Sequence, residues 1–248
     1  MTYLDRFFEN VFDDQANTPP VANNSFEKIS DAQLAAHLEI AHYGDFQLTD
    51  AVRPAMDLKI KPVQGYRHDV YVDEESKSKV PVIMAAASKP VLFHLFMNLV
   101  GKLGPVVDVV LETSHDHRSG GHNDLYREQI DMPVLMSILW DYEDLLTNDG
   151  CTGIAVLNPN TPQEIQFEEH KLLIVYGSPL EQFEHTLETA GVGCNPDIQF
   201  ITEAEHVHSS TDHFQRRFQQ LRTELGLDGS HAAGEAPEFG ESDGEEFV

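Results

Sequence analysis

The chain has 248 residues, of which 42 are Asp or Glu and only 16 are Lys or Arg, so its formal net charge at pH 7 is −26. This negative field repels nucleic-acid backbones, and no basic, aromatic-rich patch offsets it, so we expect no nucleic-acid partner. No stretch approaches the ~20 apolar residues of a transmembrane helix, and residues 1–10 lack the pattern of a signal peptide. We therefore expect no membrane partner and a cytoplasmic location.

Residues 1–64 are predicted to form an N-terminal helical extension. Residues 2–13 have an apolar helical face, which consists of Leu4, Phe7, Phe8, Val11 and Phe12. A second helix is predicted from Ser30 or Asp31 to about Tyr43. Because exposed aromatic rings are unfavourable in water, we expect the first helix to dock on its own domain, or else on a protein partner or second copy through Phe7, Phe8 and Phe12.

Residues 65–150 are predicted to form a ββαβα unit. Alternating residues in 65–72, a charged turn and the apolar run 80–87 indicate a hairpin. A largely apolar helix is predicted at 89–103, and a buried strand follows at 106–111. Strand, helix and strand in this order favour a crossover with parallel strands. Residues 114–130 have the composition of a long polar loop, and a helix is predicted at 131–147.

Residues 151–227 are predicted to repeat that unit. The expected elements are strands at 153–157, 164–167, 171–176 and 197–202, with helices at 179–190 and 211–225. Pro105 and Pro196 each precede a predicted strand, and each strand is followed by the motif Glu-x-x-His-x-His. Every matching residue of the two copies is separated by 91 residues. The predicted fold class is therefore α+β, with internally duplicated ββαβα units, mixed sheets and two N-terminal helices. Residues 228–248, rich in Gly and acids, are predicted to be a disordered acidic tail.

The repeated motif supplies candidate metal ligands. They are Glu112, His115 and His117 in the first copy, and Glu203, His206 and His208 in the second. Two histidines separated by one residue lie on the same face of an extended chain. Imidazoles arranged in this way can chelate Zn²⁺, Fe²⁺ or Ni²⁺, with a carboxylate as a further ligand. The alternative interpretation is that these are solvated loop histidines or packing residues copied by duplication.

No complete catalytic constellation is visible in the sequence. Gly120 and Gly121 lack the lysine of a phosphate-binding loop, adjacent Ser114 and His115 are not part of a hydrolase elbow motif, and Cys151 has no evident base nearby in sequence. The sequence therefore favours a soluble acidic interaction or regulatory protein without a catalytic site. The alternative is a metal-dependent, hydrolase-like enzyme that uses both histidine clusters with a divalent transition metal as cofactor.

Overall fold

A seven-stranded sheet forms the centre of the molecule in the computed structural model, which describes residues 29–72, 77–115 and 123–227. The strands, in chain order, are β1 His42–Tyr43, β2 Phe46–Gln47, β3 Val52–Pro54, β4 Gly65–Val72, β5 Lys79–Ala86, β6 Val106–Thr113, β7 Asn123–Asp131, β8 Thr152–Leu157, β9 Glu164–Phe167, β10 Leu173–Tyr176 and β11 His206–His208. The helices are α1 Asp31–Leu38, α2 Lys89–Val100, α3 Met132–Trp140, α4 Glu143–Asn148, α5 Glu181–Thr189 and α6 Asp212–Glu224. The sheet order is β4-β5-β10-β9-β8-β6-β7.

The main core lies between one face of this sheet and the helices. Side chains alternate along β6, so Val107, Val109 and Leu111 point into the core. The helix α2 is buried nearly all round, as its apolar sequence predicts, and Phe96 packs with its ring centroid 5.0 Å from that of Phe167 on β9. Burial of these large side chains anchors the sheet and fixes the position of its ends.

A second, smaller core supports a two-stranded sheet in which β11 pairs antiparallel with β3. It contains Tyr43, Phe46, Val52, Phe200 and Ile201. Arg53 on β3 is buried and donates from Nε to the carbonyl of Leu38, 2.9 Å away, which ties β3 to the end of α1. This small sheet brings the chain segment 206–208 towards one end of the large sheet.

The α+β class and several predicted elements are confirmed. The hairpin of β4 and β5, the buried α2 and the return pairing of 164–167 with β8 all occur. Strands β5 and β6 run in the same direction, as predicted, but β10, β9 and β8 lie between them. The prediction of a mixed sheet is wrong, because every neighbouring pair in the large sheet is antiparallel.

Residues 197–202 do not form the predicted strand. The side chain of Asn195 accepts a hydrogen bond from the backbone N–H of Asp197 at 3.1 Å, and the carboxylate of Glu203 accepts one from Phe200 N at 3.2 Å. These local bonds satisfy the backbone in turns and a short 3₁₀ helix instead of a strand. The predicted equivalence of 106–111 and 197–202 is therefore wrong, and the duplication that depended on it is not confirmed.

Two other predictions need correction. The predicted loop 114–130 contains the strand β7, whose alternation is interrupted where Gln129 adopts a φ of +54° and donates from its backbone N to Asp108. The predicted second helix ends at Leu38 rather than near Tyr43, since residues 42–43 pair with 46–47 in a hairpin whose turn contains Gly44 at a φ of +69°.

Some predictions concern residues outside the described ranges. These are the first N-terminal helix, the acidic tail and His117. Among residues 29–72, 77–115 and 123–227, none of the helices combines the length and the apolar character that crossing a bilayer requires.

Candidate metal centre

One end of the large sheet brings together four histidines, of which His170 is buried and His115, His206 and His208 are partly buried. Here β6 ends at Thr113, β8 begins at Thr152, and the turn 168–172 joins β9 to β10. The strand β11 lies against this end because Ser209 accepts a backbone hydrogen bond from Gly150 at 2.8 Å and donates one to Ala51 at 2.8 Å. Segments from four distant parts of the sequence therefore meet in one place.

Three imidazoles converge at this place: His170 from the turn, and His206 and His208 from β11. One ring nitrogen of each lies within 4.8 Å of those of the other two. The ring centroids of His170 lie 4.7 Å from His206 and 4.5 Å from His208, and the latter two are 5.1 Å apart. His206 and His208 face the same side because they are two residues apart on a strand. The arrangement is a compact three-histidine cluster.

The Nδ1 atom of each ring is already engaged by an oxygen acceptor. His206 Nδ1 donates to the carbonyl of Ala204 at 2.8 Å, and His208 Nδ1 donates to the carbonyl of Gly150 at 2.6 Å. His170 Nδ1 is hydrogen-bonded to the carboxylate of Glu168. Since each of these partners is an acceptor, each Nδ1 carries a proton, and in the neutral form of each ring the lone pair is on Nε2. Three Nε2 lone pairs on neighbouring rings are a ready set of metal ligands.

Glu168 organises the turn that carries His170. Its carboxylate accepts hydrogen bonds from the backbone N of His170 at 3.0 Å and of Leu172 at 2.8 Å. Burial opposes ionisation of Glu168, but the charge and hydrogen bonds of His170 outweigh it and lower the pKa of Glu168 to about 2. Lys171, with a φ of +66°, completes the turn and donates from Nζ to the carbonyl of Thr152 at 2.7 Å.

The electrostatics keep two of the three rings neutral. Burial, followed by the nearby charge of His170, lowers the pKa of His206 to about 4. The same two causes lower the pKa of His208. Burial also disfavours the charged form of His170, but the carboxylate of Glu168 outweighs it and raises the pKa of that ring. His206 and His208 are therefore in the form that a metal ion requires.

A second group of potential ligands lies beside the three-histidine cluster. It consists of His115, Asp149 and Cys151, with one donor atom of each within 4.8 Å of the others. His115 Nε2 lies 3.0 Å from Asp149 Oδ2, and His115 Nδ1 lies 2.7 Å from the hydroxyl of Thr113. Burial raises the pKa of Asp149, but its contacts with His115, Ser210 and Thr152 outweigh that effect and lower it. Burial raises the pKa of the Cys151 thiol.

Ser114 and Glu169 connect the two groups. The hydroxyl of Ser114 donates to Glu169 Oε2 at 3.0 Å, and Glu169 Oε1 lies 4.0 Å from His208 Nδ1. An apolar pocket, lined in part by Phe46, Leu48 and Phe200, also borders His170. The three-histidine cluster thus has a carboxylate on one side and an apolar recess on another.

The structure places the sequence-predicted ligands in four different environments. His206 and His208 are together, as their spacing predicts, whereas His115 belongs to the second group and does not join them. Glu112 is buried next to Gln166, whose amide lies 3.3 Å from its carboxyl group, and burial raises the pKa of Glu112 well above its ordinary value. Glu203 instead accepts a hydrogen bond from Arg67 at 2.7 Å. His117 lies outside the described residues.

Sequence reasoning missed His170, Glu168 and Asp149. The available signal for His170 was the run Glu168-Glu169-His170 between two apolar strands, where two carboxylates precede an imidazole in a tight turn. Asp149 follows α4 and resembles an ordinary helix-ending residue in the sequence. Comparison with protein-family models, with curated proteins and with solved structures finds no match to this chain.

Proposed function

We propose that this protein binds a divalent transition metal through Nε2 of His170, His206 and His208 and acts as a metal-dependent, hydrolase-like enzyme. The observation that carries the proposal is the engagement of all three Nδ1 atoms by oxygen acceptors, which makes Nε2 the ligand atom of each of these adjacent rings when the ring is neutral. Such hydrogen bonds to the second nitrogen accompany histidine ligands in metal sites and fix their tautomer.

Zinc is the ion we expect first. Imidazole nitrogen suits Zn²⁺, and three histidines with an open fourth position are the ligand set of catalytic rather than structural zinc sites. Two neutral imidazoles add no charge of their own, and the nearby carboxylates of Glu168 and Glu169 offset the charge of a divalent ion. A zinc ion with a free position lowers the pKa of a bound water molecule to ~7 and so supplies a nucleophile.

The surrounding residues divide the remaining tasks. Glu168 holds the ring of His170 in orientation through its Nδ1 atom. Glu169, whose side chain is 13% exposed and whose Oε1 lies 4.0 Å from Nδ1 of His208, supports that ring on the side away from Nε2. The apolar recess bordering His170 favours a substrate with an apolar group next to the bond that is hydrolysed.

This proposal replaces the sequence-based preference for a non-catalytic interaction protein. That preference depended on the lack of a complete constellation in the sequence, whereas His170 is a third candidate ligand beside the spaced pair His206 and His208. Interaction through Phe7, Phe8 and Phe12 stays a prediction, since those residues lie outside the described ranges.

Metal analysis of the purified full chain tests the proposal. We expect the double variant His206→Gln/His208→Gln to lose one equivalent of tightly bound zinc and all zinc-dependent hydrolysis of a panel of carboxylic and phosphoric esters. His185→Gln, which changes an exposed histidine on α5, serves as the matched control and should retain both. Equal zinc content in the double variant and the control would overturn the proposed metal centre. Full zinc binding without any zinc-dependent hydrolysis of the panel would overturn the enzymatic part.

A further inference from the structure

We propose a second metal site, formed by His115 Nε2, a carboxylate oxygen of Asp149 and Cys151 Sγ, which takes a zinc-class ion. It is separate from the three-histidine centre, and the inference does not rest on the function proposed above. The three residues come from the end of β6 and from the segment 149–151 that enters β8, and one donor atom of each lies within 4.8 Å of those of the other two.

Two buried polar atoms in this group lack a hydrogen bond. Asp149 is fully buried, and its Oδ1 accepts no hydrogen bond of good geometry from the described residues. His115, with a side chain 6% exposed, likewise has no hydrogen-bond partner for Nε2 among those residues. Leaving such atoms unsatisfied in the protein interior is unfavourable. A shared ion satisfies both at once.

The contact between the two residues fits shared ligation better than an ion pair. His115 Nε2 and Asp149 Oδ2 are 3.0 Å apart and interact electrostatically, yet they do not form a hydrogen bond of good geometry. Two ligands that each lie ~2.0 Å from a tetrahedral ion are separated by ~3.3 Å, with both lone pairs directed at the ion rather than at each other. A protonated histidine paired with the aspartate would instead align its N–H with the carboxylate.

The local structure holds each ligand in place. His115 Nδ1 is hydrogen-bonded to the hydroxyl of Thr113, and Asp149 Oδ2 accepts a hydrogen bond from the hydroxyl of Thr152 at 2.5 Å. Gly150 allows the turn between Asp149 and Cys151, because a Cβ atom there would collide with the backbone of Ala51. The ligands are thus positioned by contacts other than those with the ion.

The donor chemistry selects the class of ion. One imidazole, one carboxylate and one thiolate match the N, O and S ligands of zinc, whereas Mg²⁺ and Ca²⁺ require oxygen ligands. A neutral imidazole with two anionic ligands also balances the charge of a divalent ion. The buried site with its ion would therefore have no net charge. The hydroxyls of Ser114 and Ser210 are hydrogen-bonded to Cys151 and favour its thiolate form.

Cobalt titration of the metal-free full chain separates the two sites. Only a thiolate ligand gives the intense sulfur-to-cobalt charge-transfer absorption in the near ultraviolet, and the three-histidine cluster contains no sulfur. We expect this absorption in the wild type, its loss together with one bound equivalent in Cys151→Ser, and its persistence in His206→Gln/His208→Gln. Cys194→Ser, which alters the exposed second cysteine, is the matched control and should keep the absorption.

The outcomes distinguish the two proposals. A wild-type protein that binds cobalt without any charge-transfer absorption would overturn the second site, leaving the three-histidine centre intact. Persistence of the absorption in Cys151→Ser would overturn it as well. Even if Cys151→Ser does not fold, the wild-type spectrum alone shows whether a thiolate binds cobalt. An ion pair between His115 and Asp149 without metal corresponds to the result with no charge-transfer absorption.

Discussion

Replacement of Glu168 by Gln tests whether the turn 168–172, which carries His170, contributes to metal affinity in addition to the three histidine ligands. The carboxylate accepts three hydrogen bonds, from His170 Nδ1 and from the backbone N atoms of His170 and Leu172. Gln has one acceptor oxygen and one NH₂ group. In either orientation its NH₂ group therefore faces an N–H that formerly donated to the carboxylate. The variant also removes the negative charge that polarises the His170 ring.

We expect zinc affinity to fall by a factor of ~10–100, the usual effect of losing an outer partner of a histidine ligand. This range corresponds to ~1.4–2.8 kcal/mol of binding free energy. The loss of satisfied backbone bonds adds ~1–3 kcal/mol to the destabilisation of the metal-free fold. Zinc affinity is measured by competition with a chromogenic chelator at pH 7, and stability by urea denaturation of the metal-free protein.

Glu112→Gln is the matched control for this experiment. Glu112 is also buried in the same sheet, but burial raises its pKa well above the ordinary value and so favours the neutral form, which Gln resembles. We expect zinc affinity within a factor of two of the wild type. Wild-type affinity in Glu168→Gln would refute the role assigned to the turn, and so would equal weakening in both variants.

Three further predictions concern pH and backbone geometry. In the metal-free protein, burial and His170 lower the pKa of His206 to about 4, below the unfolded value of 6.5. The wild type should therefore lose up to about 3 kcal/mol of its free energy of unfolding as the pH falls from 6.5 to 4. His206→Gln should not show this pH-dependent loss. Burial raises the pKa of Glu164 to about 8 from 4.5; stability from this group is lost as the pH rises between those values, so Glu164→Gln should gain stability relative to the wild type over that range in urea denaturation. Gly177 has a φ of +107°, and a Cβ atom there would collide with the carbonyl of Pro162. Gly177→Ala should therefore lower the free energy of unfolding by ~3 kcal/mol. A Cβ atom at Gly193 meets open space, so Gly193→Ala should change it by no more than ~1 kcal/mol. Similar melting temperatures of the two alanine variants would contradict the last prediction.

Apolar periodicity predicted the large elements well, and local hydrogen bonding explains where it failed. The helix α2 was predictable because almost every residue in it is apolar. The strand β7 was not, because a bulge at Gln129 breaks its alternation and only Leu125 and Ile130 are buried in it. Repetition of a motif was a poor guide to topology, since residues 197–202 satisfy their backbone through Asn195 and Glu203.

The candidate site was predictable only in part for a different reason. The pair His206 and His208 follows from the two-residue period of a strand, which the sequence contains. The third ring, His170, is 36 residues away in the sequence and reaches the pair only because β9 and β10 form an antiparallel hairpin at the correct end of the sheet. Such proximity results from sheet order, which local patterns do not encode.

The pairing of β11 with β3 has a consequence for cooperativity. This three-residue strand is hydrogen-bonded to a short partner, while His170 belongs to the large sheet. An ion bound by all three rings cross-links the two sheets and lowers the population of locally unfolded forms in which β11 detaches. Amide hydrogen exchange in 206–208 should then slow on addition of zinc, while exchange in the β4–β5 hairpin stays unchanged, so the small sheet acts as a reporter of occupancy.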